Sequence, residues 1–417
     1  MNEKGVSEEE LFAELSSFSD ADTNFKKVFS SMCTVPHPVA VAAQQRFSLS
    51  NIGDPGLFRG TREMEIKVIQ MAASMLSHPN PESAFGHLTS GGTESNIEAV
   101  LHMKNRFLDL NLDSKFNSGN SNSNSSLSSN SSSSPKLNLI VPKTAHFSFE
   151  KVANLLDIEL KKAGADSNFK VVPDSVESLI DEKTIGLIGI AGNTEFGECD
   201  PIEQLSEIAI KYNLPLHVDA AFGGYVYPFL VSPIQFAFDI PGVTSLSLDP
   251  HKTGLSVIPA GILIFRDESV LKSSLDKIKV KTPYLTSDYQ STLTGTRAGS
   301  SVAATYAVMR HLGAVGYRKS VAYCMDLADH FQKELAGIGL KPCVPPKVNI
   351  ITVAVSGKSD KAAAHEETEK IRSQMLEKYG WNVSATKTIP ALRFVLMPHV
   401  TKEDISELIL DLKELLK

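Results

Sequence analysis

Seven short runs with strand character, separated by segments of helical periodicity, restrict the fold of this chain more than any other feature. They are Gly86–Thr89, Leu137–Pro142, Phe169–Val172, Ile185–Ala191, Pro215–Asp219, Thr244–Leu248 and Gly261–Phe265. Several are rich in Ile, Val and Leu and bounded by Gly, Pro or Asp, as strands covered on both faces are. Helical patterns fall between them at Thr93–Leu112, His146–Leu156, Ser175–Glu182 and Pro201–Tyr212. Such alternation predicts an α/β fold with a mainly parallel, seven-stranded sheet covered by helices.

The pattern changes after about Ser300. Helices are expected at Val302–Gly313, Arg318–Leu335, Ala362–Tyr379 and Lys402–Leu416, with strands at Val348–Val355 and Ala391–Met397. This reads as a smaller C-terminal α+β domain, and three parts follow: an N-terminal helical segment (1–50), a large domain (51–300) and a small domain (301–417). Residues 114–135, almost wholly Ser, Asn and Gly, have too little apolar surface to offset their ordering entropy and are expected to form a disordered surface insertion.

A net charge of −7 without a basic block argues against a nucleic-acid groove or an anionic membrane surface as partner. No apolar run reaches the roughly 20 residues that span a bilayer. The N-terminus is acidic and amphipathic and lacks the features of a signal peptide, so a cytoplasmic protein is expected. Cys33, Cys199, Cys324 and Cys343 form no CxxC pair, which points to reduced thiols, with neither a disulfide framework nor a metal site.

Four segments hold the candidate chemistry. In Ser247-Leu248-Asp249-Pro250-His251-Lys252, an apolar strand ends in a polar turn carrying a lysine. Active sites of α/β sheets form at such ends, and a partly desolvated lysine can lose its proton and attack a carbonyl. In His217-Val218-Asp219-Ala220-Ala221, a second strand delivers a carboxylate 33 residues before Lys252. An aspartate here can cap a turn, or pair with a protonated pyridine nitrogen and keep that ring an electron sink; small Ala221 would let a flat ring lie against the strand. In Gly86-His87-Leu88-Thr89-Ser90-Gly91-Gly92-Thr93-Glu94-Ser95-Asn96, a strand runs through a glycine turn into a helix whose exposed amides suit a phosphate. The spacing is neither a P-loop nor GxGxxG. In Thr144-Ala145-His146-Phe147-Ser148, a histidine follows a strand, where it is structural or stacks on an aromatic cofactor.

Taken together, SGGTESN, TAHFS, HVDAAFGG and DPHK, in that order, resemble the fold-type I pyridoxal-phosphate (PLP) enzymes, within them the group II amino-acid decarboxylases, and most nearly the archaeal L-tyrosine/L-aspartate decarboxylases. Gly53–Phe58, Thr282–Ser300 and Leu392–His399 are similar to theirs as well, so the resemblance spans nearly the whole chain outside the insertion. Sphingosine-phosphate lyases share much of the framework. The resemblance implies the cofactor pyridoxal 5′-phosphate, with Lys252 carrying it, Asp219 on its pyridine nitrogen, His146 stacked on its ring, and Ser90, Gly91, Gly92 and Thr93 around its phosphate with His251 nearby. Thr194 falls where relatives contact the cofactor, and the Gly295-Thr296-Arg297 turn resembles one that reaches a partner subunit's phosphate. A homodimer with shared active sites is implied.

Three further residues carry open alternatives. Tyr284, in Pro283-Tyr284-Leu285, matches a loop whose tyrosine helps protonate the reacting carbon, but without a spacer residue; it is equally an ordinary loop tyrosine. Arg393 would bind a substrate carboxylate through its guanidinium fork, or form a surface salt bridge. His37 would line the substrate site, or be a structural loop histidine. The implied reaction is decarboxylation of L-tyrosine to tyramine, of L-aspartate to β-alanine, or both, products that feed methanofuran and coenzyme A biosynthesis in archaea. A retro-aldol carbon–carbon lyase of the sphingosine-phosphate lyase type is the alternative reaction. A catalytically dead partner protein of the same fold is a third reading, against which stand the presence of Lys252 and Asp219.

Overall fold

A computed structural model describes residues 4–117, 136–268, 277, 279–286 and 289–417. Most of the Ser/Asn-rich stretch, residues 118–135, lies outside the described residues. The strands of the main sheet are β1 (Phe85–Thr89), β2 (Asn138–Pro142), β3 (Glu159–Ala163), β4 (Thr184–Ile190), β5 (Leu216–Asp219), β6 (Val243–Leu248) and β7 (Gly261–Phe265). They lie in the order β1-β7-β6-β5-β4-β2-β3. Only β7 runs against its neighbours, so the seven-stranded sheet is mainly parallel, as the alternation of elements predicts. Strands β2, β4, β5 and β7 are buried along their whole length, and in β4 and β7 this gives nearly continuous apolar runs, while β5 carries the buried polar His217 and Asp219.

One strand is not where the pattern puts it. The seventh strand is Glu159–Ala163, and Phe169–Val172 is not a strand. Phe169 has φ +62°, a left-handed value that breaks extended pairing, and its ring stacks on Phe196 with centroids 3.7 Å apart. β3 is charged because it is the sheet's edge: Lys161 pairs with Asp181, and Lys162 with Glu150.

Ten α-helices complete the described chain: α1 (Glu8–Ala21), α2 (Pro38–Arg46), α3 (Arg59–Met75), α4 (Gly92–Asn117), α5 (Ser148–Leu156), α6 (Pro173–Glu177), α7 (Ile202–Lys211), α8 (Gly299–Gly337), α9 (Lys361–Tyr379) and α10 (Lys402–Leu415). The two helices expected on either side of Gly313 form α8, which breaks at that glycine (φ 53°, ψ −172°). A short ribbon, β8 (Val280–Lys281) with β9 (Tyr289–Gln290), precedes α8. The C-terminal sheet is β10 (Ile350–Val353), β12 (Leu392–Val395) and β11 (Ser384–Ala385), in that order and antiparallel. Its core holds Trp381, Phe331 and Phe394 together with Phe29 from the N-terminal segment. Phe29 N donates to Asn382 O at 2.8 Å, and Phe29 O accepts from Val395 N at 2.7 Å. His399 fixes the same segment through Val28 O and Thr34 Oγ1. This long-range attachment delivers Met32 and Cys33 to the C-terminal ends of the main strands.

Candidate active site

The chain ends of β1, β4, β5 and β6 surround a chamber of about 400 Å³. Its wall carries Ser90, Gly91, Gly92, Thr93, His146, Thr194, Asp219, Ala221, His251 and Lys252, so the four sequence segments and the Thr194 turn converge. Asp219 ends β5 and faces the chamber, held by three donors. Asn96 Nδ2 reaches its Oδ2 at 2.9 Å, while Ala221 N at 3.1 Å and Ser247 Oγ at 3.5 Å reach its Oδ1. Asn96 is itself fixed by His217 Nε2 at 3.1 Å and Ser247 Oγ at 3.0 Å, both on its Oδ1. His217 is fully buried, and desolvation lowers its pKa to about 4, so it acts as a neutral ring with Nδ1 at Ser245 Oγ. Asp219 thus rests on neutral dipoles and leaves the chamber side for a cationic partner.

Lys252 differs from the sequence expectation of an amine freed by desolvation. Burial does press its pKa down, but the carboxylates of Asp249 and Asp219 outweigh it, and the value ends above the ordinary one. Lys252 Nζ lies 3.0 Å from Asp249 Oδ2. In the chain alone this lysine is a charged ammonium, and the nucleophilic amine requires transfer of that proton. Asp249 Oδ1 is buried and has no hydrogen-bond partner among the described residues.

The glycine turn forms a cradle. Gly91 has φ +154°, and a Cβ there would stand 3.1 Å from His251 Cε1; a Cβ on Gly92 would stand 3.1 Å from the methyl of Ala221. The backbone therefore approaches the opposite wall as closely as it can without side chains, at the N-terminus of the long helix α4, where amides and dipole favour an anion. Glu94 Oε2 accepts from Ser90 N at 2.7 Å, and its Oε1 accepts from Thr294 Oγ1 at 2.9 Å. Burial lowers the pKa values of His146 and His251, with nearby carboxylates opposing it, so both rings favour the neutral form.

A second chamber of about 370 Å³ adjoins the first and shares Thr144, His146 and Thr194 with it. Arg393, on β12, lines this outer chamber. It is not a surface salt bridge: Nη1 donates to Thr194 O at 2.8 Å, and Nη2 donates to Ser30 O and Ser384 Oγ. Its Nε is buried without a partner among the described residues, and with Nη1 and Nη2 engaged the guanidinium has no open fork. Four positions lie outside both chambers of their own chain. His37 caps α2, with Nδ1 accepting from Val39 N, and its ring lies 5.0 Å from that of His311; this gives it a structural place. Tyr284 is 83% exposed. Gly295 and Thr296 form an exposed turn whose neighbour Arg297 binds buried Glu65 and Leu88 O. Sequence reasoning missed Asn96, Asp249, His217 and Cys33 as members of the site; the first three lie within the quoted motifs.

The sheet, with its lysine after β6, its carboxylate at the end of β5 and its glycine cradle after β1, defines a fold-type I pyridoxal-phosphate enzyme, and the donor set fits that cofactor. Asp219 and the cradle suit its two charged ends, and the partnerless oxygen of Asp249 lies beside the lysine that would carry it. The family model for the pyridoxal-dependent decarboxylase conserved domain matches residues 60–354, and the chain belongs to that family, a carboxy-lyase of amino acids. It is 48% identical over 423 residues to "Probable L-tyrosine/L-aspartate decarboxylase" of Methanosarcina acetivorans, covering 99% of both chains. It is 40% identical to "Probable L-aspartate decarboxylase" of Archaeoglobus fulgidus, covering 98% of this chain and all of that one. Among solved structures, glutamate decarboxylase of Lactobacillus brevis shares the fold at TM-score 0.85 and 22% identity, over 100% of this chain and 93% of that one. A sphingosine-1-phosphate lyase of Burkholderia pseudomallei shares it at TM-score 0.80 and 24% identity, over 100% and 92%. Among the described residues no helix is long and apolar enough to cross a membrane, and no group of three or more His, Cys, Asp or Glu converges to hold a metal.

Proposed function

We propose that this decarboxylase acts on L-aspartate, giving β-alanine, on L-tyrosine, giving tyramine, or on both. The observation that carries the reading is the adjacency of the Lys252 chamber to the outer chamber of Arg393, the two sharing Thr144, His146 and Thr194 in their walls. An amino acid reaching Lys252 thereby has space beyond it for a carboxylate or a side chain. The names of the full-length relatives support the two substrates.

Pyridoxal phosphate, when bound, supplies the ring that takes up the electron pair left by the departing carboxylate. The chain's own residues then have these roles. Lys252 carries the cofactor, and Asp249 receives or returns the proton of its amine across 3.0 Å. Asp219 would pair with the cofactor's ring nitrogen. His146, Ala221 and Thr194, which line the chamber, would hold its ring. Ser90, Gly91, Gly92 and Thr93 hold the phosphate with His251, and Gly295 and Thr296 of a second subunit close it. Arg393 Nε meets the substrate carboxylate. His37, as a helix cap, takes no part. The working form is a homodimer built from the segments 1–50, 51–300 and 301–417; the cluster around Trp381 draws on the last segment together with Phe29, while the main-sheet cluster reaches across the boundary to Val302, Val348 and Val395.

The test is to incubate cofactor-loaded protein separately with L-tyrosine, L-aspartate and L-glutamate, and to measure CO₂ and identify the amine. β-Alanine or tyramine is expected. No CO₂ from any of them, with the near-visible absorption of lysine-bound cofactor intact, would overturn the reading and favour carbon–carbon cleavage of a phosphorylated amine.

A further inference from the structure

The outer chamber has more positive charge than its structure uses. Its wall includes Lys143, Lys162, Lys387 and Arg393 against Glu150 and Glu195. Both acids are already engaged. Glu150 pairs with Lys162 at 2.9 Å. Glu195 points its carboxylate at the backbone of residues 387–388: Lys387 N donates to Oε1 at 2.7 Å and Thr388 N to Oε2 at 3.2 Å. Lys143 and Lys387 form no salt bridge among the described residues, although Lys387 is close enough to Glu150 to help lower its pKa behind Lys162. Arg393 adds a buried Nε with no acceptor. A chamber whose wall carries four cations against two acids, sharing Thr144, His146 and Thr194 with the Lys252 chamber, favours a ligand with more negative charge than one α-carboxylate brings.

The backbone fixes this arrangement. The turn 193–195 is joined to the C-terminal sheet three times: Glu195 holds the 387–388 amides, Glu195 O accepts from Thr352 Oγ1, and Thr194 O accepts from Arg393 Nη1. A carboxylate accepting two amides makes charge-assisted bonds that set loop position. Glu195 thereby aims its carboxylate at backbone rather than at Lys387, whose ammonium forms no salt bridge among the described residues.

We propose that Lys387 is a specificity-determining residue that receives the second carboxylate of a dicarboxylic amino acid, that Lys143 supports it, and that Glu195 is the positioning residue that holds the 387–388 loop in place. The inference rests on the decarboxylase reading above and deepens it: the chamber selects aspartate over tyrosine. An aspartate reaching Lys252 has its α-carboxylate toward Arg393 and its side-chain carboxylate toward Lys387, whereas the phenol of tyrosine has no charge for that lysine to meet.

Two measurements test this. First, binding of succinate, a dicarboxylate without an amine, is followed by calorimetry in cofactor-loaded wild type, Lys387→Ala, Lys387→Arg and Glu195→Gln. Loss of one ionic contact weakens binding about tenfold in Lys387→Ala, Lys387→Arg restores most of it, and Glu195→Gln falls between. Second, KM for L-aspartate rises by a similar factor in Lys387→Ala, while kcat, KM for L-tyrosine and cofactor absorption stay unchanged; in wild type KM for aspartate increases with salt. Unchanged succinate affinity in Lys387→Ala overturns the proposal. So does an equal rise in KM for both amino acids, which marks the loop as structural. Succinate binding that depends on Lys387 in an enzyme releasing CO₂ from neither amino acid keeps the anion-selective chamber and overturns the substrate reading instead.

Discussion

Asn96 Nδ2 donates to Asp219 Oδ2 at 2.9 Å, across 123 residues of sequence, and Asn96 is held in turn by His217, whose buried ring favours the neutral form, and by the hydroxyl of Ser247. Asn96 is buried on the first turns of α4, so the helix that begins the phosphate cradle also orients the carboxylate for the ring nitrogen. One helix thus sets the distance between the two ends of the cofactor site. Replacing Asn96 with Ala leaves Asp219 Oδ2 and His217 Nε2 without their partner, at a cost of about 1.5–3 kcal/mol for a bond to a charged group. We expect pyridoxal-phosphate affinity to fall about tenfold in Asn96→Ala, read by titrating the absorbance of the bound cofactor. Unchanged affinity with only a lower Tm would confine Asn96 to a structural role.

Lys252 and Asp249 make a prediction about the chain without cofactor. Asp249 is almost fully buried, and Lys252 Nζ at 3.0 Å is its nearest cation. Removing one member of a buried pair leaves an uncompensated charge, which typically costs about 3–5 kcal/mol. Lys252→Met should therefore abolish turnover and also lower the Tm of the cofactor-free protein. Lys252→Met with Asp249→Asn should recover most of the lost Tm but none of the activity. Differential scanning calorimetry of the four proteins separates the two effects, and wild-type turnover in Lys252→Met would exclude the lysine from the chemistry.

Three buried groups shape the acid limb of the stability curve. Desolvation lowers the pKa values of His217 and His102 from 6.5 to about 4, the latter against an opposing pull from Glu98. The unfolded chain protonates these rings near 6.5 and the folded chain only near 4, so the stability each contributes is present above pH 6.5 and is lost as pH falls toward 4. Each ring contributes on the order of 3 kcal/mol over that window. Asp200 runs the other way: burial raises its pKa from 3.8 to about 7, so its contribution is full below pH 3.8 and is lost as pH rises through 7. The three partly cancel, leaving a loss equivalent to about one histidine between pH 6.5 and 4. Asp200→Asn removes the opposing member, and its denaturant midpoint should fall more steeply with acidification than that of wild type. Equal slopes would show that Asp200 is ionised at neutral pH.

The positions of the buried strands along the chain were legible because both faces of each are covered, and that leaves an apolar signature. The edge was not legible. Glu159–Ala163 needs no apolar run because its outer side meets solvent, and Phe169–Val172 has the composition of a strand but a left-handed residue within it. In the site, Lys252, Asp219 and the glycine turn were legible because each follows a strand, and strand ends converge in this fold. Asn96 and Asp249 sat inside the quoted motifs, yet only three-dimensional geometry distinguishes an asparagine facing the sheet from one facing water. Cys33 reaches the chamber because Phe29 joins the C-terminal sheet, a contact between residues more than 350 apart that no local pattern encodes. Arg393 was legible as a cation on a strand, but its carbonyl partners at Thr194 and Ser30 were not.

Tyr284 raises the question of which subunit it serves. Its ring is 83% exposed and lies outside both chambers of its own chain, yet its turn is held in place: Leu285 N donates to Thr282 O at 3.1 Å, and Thr286 N donates to Asp54 Oδ1 at 3.3 Å. A fixed turn that presents a large aromatic to solvent is a surface prepared for a partner, and the exposed Gly295-Thr296 turn is held in the same way through Arg297 and Glu65. We propose that both serve the active site of the second subunit in a homodimer, with Tyr284 near the reacting carbon. Tyr284→Phe should then bind cofactor normally and lose activity at least about a hundredfold, the usual scale for a positioned proton donor. Mixing it with Lys252→Ala gives the decisive measurement. In a statistical mixture half of the dimers are mixed, and each mixed dimer holds one site with both Lys252 and Tyr284 if the tyrosine acts across the interface. Activity should return to about a quarter of wild type from two inactive parents. If Tyr284 serves its own chain, every site in the mixture lacks one group and the mixture stays inactive.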